Sequence, residues 1–271
     1  MLNLSELTDK VRALAIEAGD FIREERKKFH REAIEKKHAH DYVSYVDKES
    51  EKKIVTRLKE LLPEAGFIAE EGSGTLNDEQ YCWLVDPLDG TTNFIHDNAP
   101  YCVSIALRSK KELLLGVVYE ICRNECFWTY KGAPSYLNGN EIHVSAISNL
   151  DDSFIALGFP YATKEYKPMA NHLVNTLYGN VAGLRLMGAA AVELCYIAAG
   201  RFEARIEAFI GPWDIAAGTI ILQNAGGMIT DFKGGDSYSS GSQPAARSCR
   251  ARRWPSTPSV SPGSSRAAAG L

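Results

Sequence analysis

The sequence predicts an α/β layered fold, because helical and strand-like periodicities alternate along it. Its first 62 residues carry two amphipathic patterns, with apolar residues at three- and four-residue steps. Short runs of β-branched and aromatic residues follow from residue 67 onward. The chain has 271 residues, 45% of them hydrophobic and 24% charged. That composition is typical of a globular protein with one large domain or two fused lobes.

The first half opens with helices. A helix is predicted from Leu4 to Ile22, ending before the basic residues that start at Lys27. A second helix is capped by Asp47 and ends before Pro63. The polar stretch 34–41 between the two helices is predicted to be a solvated loop.

Strands follow. Phe67–Ala69 and Cys82–Val85 are predicted strands that each run into acidic residues and a glycine. The sequence Asn138-Gly139-Asn140 is a strong signal for a tight turn. An antiparallel meander is predicted over 101–107, 113–121 and 125–130.

Helices and strands alternate in the second half. The predicted order is a strand over 153–158, a helix over 188–200, a strand over 202–207, a helix over 215–225 and a strand near 228–232. Asp214 lies at the start of the second of these helices, where an acid can act as the N-cap. We expect an N-terminal lobe at residues 1–146 and a C-terminal lobe at residues 147–236.

The stretch Asp86-Pro87-Leu88-Asp89-Gly90-Thr91 carries the chemistry. Two carboxylates at the end of a buried strand attract a hard divalent cation. The glycine and threonine that follow offer backbone N–H groups and a hydroxyl to a phosphate. Glu70, at the end of the preceding strand, repeats the pattern of an acid before a glycine. We expect these strand ends to meet at one edge and to form a metal-assisted phosphate site.

Charge and cysteine usage argue against several classes of function. The net charge of −4 argues against nucleic acid or an anionic membrane as the main partner. The six cysteines show no paired CxxC spacing, which favours reduced thiols in a cytosolic protein over zinc or a disulfide. The first residues show no pattern of a signal peptide or a transmembrane helix. We therefore expect a soluble, cytoplasmic protein.

Four stretches together resemble the inositol monophosphatase family of magnesium-dependent, lithium-sensitive phosphatases. They are Phe67–Glu71, Trp83–Phe94, Gly188–Cys195 and Trp213–Gly218, in the order and spacing of the family. The resemblance runs to about Asp236. It implies a sugar-phosphatase fold with alternating αβαβα layers, Mg²⁺ as the cofactor, a phosphorylated polyol or sugar as the substrate, and a homodimer.

The resemblance also implies site residues. The metal ligands would be the carboxylates of Glu70, Asp86, Asp89 and Asp214 and the backbone carbonyl of Leu88. Phosphate would be held by Gly90 and Thr91, and the rest of the substrate would be contacted by Gly188, Ala189, Ala190, Glu207 and Asp214. Lys36 or Lys37, before the second helix, would reach the site. The catalytic residues would be Glu70, Asp89 and Thr91.

The implied reaction is in-line hydrolysis of a phosphate monoester. A magnesium-activated water, oriented by Glu70 and Thr91, would attack without forming a phosphoenzyme. The favoured substrate is myo-inositol monophosphate, and the alternatives are fructose-1,6-bisphosphate, 3′-phosphoadenosine-5′-phosphate and histidinol phosphate. A hypothesis of another class is a catalytically idle regulatory homologue that keeps the fold.

Residues 237–271 depart from the family. They contain ten Ser, four Pro and five Arg, with no Lys, Asp or Glu. This composition predicts disorder. Because the change occurs inside a domain, it favours a shifted reading frame, with a natural basic tail for an acidic partner as the alternative.

Overall fold

The computed structural model describes residues 2–30, 34–38, 41–74, 79–160, 163–208, 210–232, 234–235 and 248–252. Its helices are α1 (Leu4–Lys28), α2 (Tyr45–Leu61), α3 (Thr91–Ile95), α4 (Thr163–Leu177), α5 (Ala190–Ala198) and α6 (Pro212–Asn224). Its strands are β1 (Ile34–His38), β2 (Asp41–Ser44), β3 (Gly66–Ala69), β4 (Tyr81–Asp89), β5 (Cys102–Ser109), β6 (Leu113–Glu120), β7 (Glu125–Tyr130), β8 (Ser135–Leu137), β9 (Asn140–Ile142), β10 (Phe154–Leu157), β11 (Gly183–Arg185), β12 (Ala204–Ala208), β13 (Met228–Thr230) and β14 (Ser248–Arg252). Among the described residues, no helix is both long enough and apolar enough to cross a membrane.

A larger and a smaller sheet organise these elements. In the described part of the chain, the larger sheet has the strand order β3-β4-β5-β6-β7-β8-β9. In this sheet β3 runs parallel to β4, and the predicted meander β5-β6-β7 is antiparallel. The smaller sheet has the order β11-β10-β12-β14-β13. Here β10 is parallel to both β11 and β12.

The alternation of side chains along the strands produces separate core layers. On β4, Trp83 packs with α1 and α2, whereas Leu84 packs with α5 and α6. On β10, Ala156 joins the layer of α5 and α6, while Ile155 packs with Leu177 of α4 on the opposite face. The order is α1/α2, larger sheet, α5/α6, smaller sheet, α4. This is the αβαβα layering that the resemblance to the inositol monophosphatase family led us to expect.

Two glycines allow the central helices to pack closely. A Cβ on Gly116 of β6 would lie 2.7 Å from the carbonyl oxygen of Ala217 in α6. A Cβ on Gly218 of α6 would lie 2.7 Å from the Cβ of Leu194 in α5. Neither position has room for a larger side chain without a shift. This close packing sets α6 directly on the larger sheet, whose β4 carries the acidic motif.

Three local expectations need correction. The stretch 34–41, expected as a loop, contributes to the antiparallel hairpin of β1 and β2. These two strands are adjacent in sequence, so they can pair through backbone hydrogen bonds without an apolar face that would appear in the sequence pattern. The strand expected to end at Val85 continues as β4 to Asp89, with a register irregularity that accommodates Pro87. The first helix continues through Lys28, because basic residues in a last turn suit the negative end of the helix dipole.

The terminal segment also differs from the expectation of disorder over its whole length. The backbone of Ser248–Arg252 forms β14, which lies between β12 and β13 and pairs antiparallel with both. A strand in this position satisfies backbone N–H and C=O groups on two neighbouring strands, which composition alone does not reveal. The remainder of residues 237–271 lies outside the described residues.

Candidate functional site

Three predicted acidic residues converge at the end of β4. Carboxylate oxygens of Glu70, Asp86 and Asp214 all lie within 4.8 Å of one another. Glu70 directly follows β3, and Asp86 lies in the neighbouring parallel strand β4, so the chain direction brings both to one edge. Asp214 comes from the first turn of α6. The cluster therefore joins the larger sheet to a helix of the second half of the chain.

Backbone N–H groups orient two of these carboxylates. The amide of Leu88 donates to Asp86 Oδ1 at 3.0 Å, and the amide of Gly211 donates to Asp214 Oδ2 at 2.7 Å. Gly211, not Asp214, is the N-cap of α6. Asp214 lies at the third helical position and reaches back to the N-cap amide, which corrects the expected cap. One carboxylate oxygen of each residue is thus used by the backbone.

Asp89 is placed differently from the other predicted ligands. Its oxygens accept hydrogen bonds from the amides of Ala190 at 3.1 Å and Ala191 at 2.7 Å, at the N-terminus of α5. A carboxylate at this end of a helix is stabilised by the exposed N–H groups and the helix dipole. Asp89 therefore links β4 to α5, beside the cluster of three rather than within it.

Glu70, Asp86 and Asp214 cannot all carry a negative charge without strong mutual repulsion. Burial, followed by the neighbouring Glu70, raises the pKa of Asp214 to about 8 and that of Asp86 well above its ordinary value. Burial also raises the pKa of Asp89 to about 6, although the amides of Ala191 and Ala190 act in the opposite direction. A set of hard oxygen donors held this close together suits Mg²⁺. The residues present therefore fit the cation that the sequence predicts.

The turn after Asp89 is shaped by a glycine. Gly90 has φ +89°, in the left-handed region, and it forms the N-cap of the short helix α3. A Cβ at this position would lie 3.0 Å from the carbonyl oxygen of Pro100 and 3.3 Å from the Cβ of Ala189. Both the backbone conformation and the lack of space require glycine. The tight turn brings Thr91 back towards the carbonyl of Leu88, at 3.1 Å from its hydroxyl.

The hydroxyl of Thr91 contacts Asp47, a residue that the sequence predicted only as a helix cap. Its hydroxyl donates to Asp47 Oδ1 at 2.8 Å. The other oxygen of Asp47 accepts from the amide of Ser44 at 2.9 Å and from its hydroxyl at 2.7 Å. Ser44, not Asp47, is the N-cap of α2, and Ser44-x-x-Asp47 is a capping-box pattern. Burial raises the pKa of Asp47, as expected for a carboxylate that can accept a proton.

A second carboxylate that the sequence did not reveal supports Glu70. Glu51 of α2 is fully buried. Its two oxygens accept from the amides of Glu71 at 2.7 Å and Ser73 at 2.8 Å. The loop that carries Glu70 is therefore tied to α2. An acid three residues before Ile54 in an amphipathic helix gives no sequence signal for this role.

The predicted substrate-contacting segment is fixed from two sides. The side-chain amide of Asn93 donates to the carbonyl of Met187 at 2.8 Å, and the amide of Met187 donates to Glu193 at 3.1 Å. Gly188 follows with φ +76° and directs the chain to Ala189 and Ala190. The predicted phosphate-binding stretch is thereby joined to this segment through Asn93.

The remaining predicted substrate contacts are Glu207 and a lysine, Lys36 or Lys37. Glu207 lies on β12 against Gly158, where a Cβ on the glycine would collide with its carboxyl group. Lys36 lies in β1 opposite Tyr42, and its side chain is outside the described residues, as is that of Lys37. The structure thus brings Glu70, Asp86 and Asp214 together, whereas the side chains of the two lysines are not described.

Comparisons with known proteins agree with this geometry. The model of the inositol monophosphatase family matches residues 3–259. The Nus factor SuhB of Escherichia coli K12 is 40% identical over 204 residues, covering 74% of this chain and 76% of that protein. The Nus factor SuhB of Vibrio cholerae is 37% identical over 240 residues, covering 88% and 87%.

Solved structures give the same result. The extragenic suppressor protein SuhB of Bartonella henselae superposes with a TM-score of 0.81 at 32% identity, covering 89% of this chain and 91% of that one. The inositol monophosphatase of Anabaena superposes with a TM-score of 0.79 at 29% identity, covering 93% and 92%. The chain belongs to the inositol monophosphatase family.

Proposed function

We propose that the protein is a magnesium-dependent hydrolase of phosphate monoesters, with a phosphorylated polyol as its substrate and myo-inositol monophosphate as the favoured one. The observation that carries this proposal is the convergence of Glu70, Asp86 and Asp214 within 4.8 Å, on the motif that also presents Thr91. Family membership supports the phosphatase chemistry.

The donor set determines how the cation would be held. Glu70, Asp86 and Asp214 would bind it, with Asp89 and the carbonyl of Leu88 beside them. Bound Mg²⁺ would neutralise charge on the phosphate oxygens and the leaving group and would lower the pKa of water. The raised pKa values of Asp86 and Asp214 support this arrangement, because a cation relieves the same repulsion that a proton does.

The chain's own residues would manage the proton. Thr91 donates its hydroxyl hydrogen to Asp47, so the lone pairs of its oxygen can accept a hydrogen bond from water. As water attacks phosphorus, its proton passes to the Thr91 oxygen and the original hydroxyl proton passes to Asp47. The bond from phosphorus to the ester oxygen breaks in the same displacement, and the departing alkoxide takes a proton from solvent water to leave as the alcohol. Glu70, held by its anchored loop, orients the water from the cation side. The phosphate would rest on Gly90 and Thr91, as the resemblance implies.

The substrate's hydroxyl groups would meet Glu207 and the segment from Gly188 to Ala190. Lys36 or Lys37 would approach the phosphate from the β1–β2 hairpin. The homodimer and the cytoplasmic location stay predictions from the resemblance and the composition.

A second candidate function comes from the names of relatives. The E. coli and V. cholerae proteins are named Nus factor SuhB, which favours a regulatory role for a chain of this family. In that case the fold would serve to bind a partner. The four predicted carboxylates are nevertheless all present in this chain, which supports the hydrolase.

Phosphate release from the chelator-treated protein, with Mg²⁺ added back, tests the proposal. We expect release from myo-inositol 1-phosphate that requires Mg²⁺ and is inhibited by Li⁺, and slower release from fructose-1,6-bisphosphate, 3′-phosphoadenosine-5′-phosphate and histidinol phosphate. Asp89→Asn should reduce kcat/KM by about a hundredfold or more, as expected on removal of a preorganised electrostatic group. Asp151→Asn, in an exposed turn, is the matched control and should keep full activity.

Two results would contradict the proposal. One is a folded protein that releases no phosphate from any of these esters with Mg²⁺, which would favour the regulatory candidate. The other is an Asp89→Asn variant with near-full turnover, which would remove Asp89 from the site.

A further inference from the structure

A buried arginine, Arg205, lies between two glutamates, one of which is the predicted substrate contact Glu207. Arg205 Nε lies 2.5 Å from Glu193 Oε2, and its Nη2 contacts Glu207 Oε2. The side chains of Arg205 and Glu193 are 1% and 2% exposed, while that of Glu207 is 15% exposed. Of these three residues, only Glu207 is exposed enough to contact a ligand. We call Glu193, Arg205 and Glu207 the buried charge cluster.

Strand geometry explains how the charge cluster forms. Arg205 and Glu207 are two residues apart on β12, so both point to the same face, towards α5. Ala204 and Ile206 point to the other face and pack in the layer of α4. Glu193 lies in the first turn of α5 and meets Arg205 from the opposite side.

Stability alone does not account for an arginine in this position. Taking a guanidinium and a carboxylate out of water is costly, and well-packed apolar residues often replace such pairs without loss of stability. The Nη1 atom of Arg205 is buried and has no hydrogen-bond partner among the described residues. A guanidinium with an unused donor is thus kept where an apolar side chain would fit the layer. Its guanidinium does provide something that an apolar residue cannot, since it pairs with two carboxylates at once, through a hydrogen bond to Glu193 and an ion pair with Glu207.

The carboxylates of Glu207 and Glu193 are each connected to a predicted substrate contact. Glu207 is held between Arg205 on one side and the backbone of Gly158 on the other, so its carboxyl group has little freedom. Glu193 uses its second oxygen to accept from the amide of Met187 at 3.1 Å, immediately before Gly188. Arg205 therefore connects the two parts of the pocket that the resemblance assigns to the substrate ring.

We propose that Arg205 is a positioning residue for substrate selection. It fixes the Glu207 carboxylate and, through Glu193, the segment from Met187 to Ala190, so that polyol hydroxyls meet preorganised acceptors. This inference rests on the proposed function. It predicts that loss of Arg205 reduces the preference for hydroxyl-bearing phosphates more than it reduces phosphate hydrolysis itself.

The test compares two esters in the Mg²⁺-loaded protein. Myo-inositol 1-phosphate offers hydroxyls to Glu207, whereas 4-nitrophenyl phosphate has none. For Arg205→Met, the ratio of kcat/KM between the two esters should fall by about tenfold or more, mainly through KM for the inositol ester, as expected when a hydrogen bond to a charged group is misplaced. In a Glu207→Gln background the same substitution should change the ratio less than in the unsubstituted chain, because the part of the effect that passes through Glu207 is already lost and only the part through Glu193 remains.

Arg201→Met is the matched control. Arg201 also forms a partly buried pair, with its Nη1 and Nη2 at 2.7 and 2.6 Å from the Glu125 carboxylate, but it follows α5 on the side away from the motif. Its loss should lower stability without changing the ester ratio. If Arg205→Met does not fold, the isosteric Glu193→Gln carries the test, and the same selective rise in KM for the inositol ester is expected.

The possible outcomes are distinct. An unchanged ester ratio in a folded Arg205→Met or Glu193→Gln variant would overturn the inference while the proposed function stands. An equal loss for both esters would also overturn it, since it indicates a purely structural role. If the unsubstituted protein hydrolyses neither ester, the proposed function fails and the inference fails with it.

Discussion

Asp47 has two tasks that use different oxygens of one carboxylate. Oδ2 closes the first turn of α2 through Ser44, and Oδ1 accepts the hydroxyl hydrogen of Thr91. Asp214 divides its oxygens in a similar way, with Oδ2 on the amide of Gly211. In both cases an acid at the third position of a helix is rigid because it completes the helix start. A carboxylate fixed in this way needs little further ordering when the site acts.

The dual role of Asp47 predicts a separation of activity from stability. Asp47→Asn removes the proton acceptor and should lower kcat by about 10²–10⁴-fold, the usual contribution of a general base. Stability should fall by only about 1 kcal/mol, because an amide oxygen can still accept at the helix start. Steady-state kinetics and thermal unfolding of the same samples give both values.

Asn3→Ala is the control for this substitution. Asn3 is the N-cap of α1, where its side chain accepts from the amide of Glu6, far along the chain from the acidic motif. It should lose a similar amount of stability and keep kcat. An Asp47→Asn variant with kcat within about threefold of the unsubstituted chain would show that Asp47 only completes the capping box of α2.

The sequence predicted those site residues that belong to one continuous motif or that directly follow an apolar run. Asp86 and Asp89 come directly after the apolar run of β4, Glu70 follows β3, and the spacing of these acids to a glycine is visible in the sequence. Asp47 and Thr91 are 44 residues apart, so their hydrogen bond has no local pattern. Arg205 and Glu193 show only as an alternating strand and an acid in a helix. Their shared role depends on how α5 packs on β12.

At the scale of elements, α2 supports the site from behind β3. Glu51 accepts from two consecutive parts of the loop after Glu70, the amides of Glu71 and Ser73. Because both oxygens are used and the side chain is fully buried, this carboxylate cannot be exchanged for a single acceptor without loss. The position of Glu70 relative to Asp86 depends on this contact.

Glu51→Gln tests that dependence. The amide group offers one acceptor in place of two, so one buried N–H loses its partner at a cost of about 1–3 kcal/mol. We expect the Mg²⁺ concentration for half-maximal activity to rise by about tenfold, because a loosened Glu70 weakens cation binding. The measurement is an Mg²⁺ activation curve at saturating substrate.

Glu49→Gln, an exposed position on the same helix, controls for the change of charge. Its Mg²⁺ activation curve should match that of the unsubstituted chain. An unchanged midpoint in Glu51→Gln would show that the loop does not need its anchor.

Most elements were predictable because their periodicity reflects burial. The strands of the larger sheet alternate between two core layers, α1 and α2 each bury an apolar face, and α5 is buried on all sides. The hairpin of β1 and β2 carries polar residues and lacks that signal. No element was predicted over 163–177, where α4 contains Pro168 and buries little besides Leu177. Elements that bury little apolar surface leave little trace in the sequence.

At the scale of the whole molecule, the site is built by contacts between the two halves of the chain. Asp89 holds the N-terminus of α5, and Asn93 holds Met187. Ser104 of β5 donates to the carbonyl of Trp213, next to Asp214, at 3.3 Å. The predicted metal ligands can therefore assemble only when the larger sheet and the helices α5 and α6 are both in place.

Repulsion between these carboxylates makes the stability of the folded chain depend on pH. The pKa of Asp214 is raised from 3.8 to about 8, so in this interval the folded chain holds a proton that the unfolded chain has released. Raising the pH through the interval therefore removes stability from the metal-free protein. Asp89, with its pKa raised from 3.8 to about 6, acts in the same direction at lower pH. A bound cation would replace these protons, so its stabilising effect should increase as the pH rises.

The shift in Tm on adding Mg²⁺ to the metal-free protein, measured from pH 5 to pH 8, tests the shared carboxylate site most directly. At a hundredfold excess over Kd, binding to the folded state alone adds about 2.7 kcal/mol, which corresponds to a rise of several degrees. We expect a small shift at pH 5, where protons occupy the site, and a full shift at pH 8, which Asp214→Asn reduces. A shift that is absent, or that is equal at both pH values, would contradict a magnesium site formed by Glu70, Asp86 and Asp214.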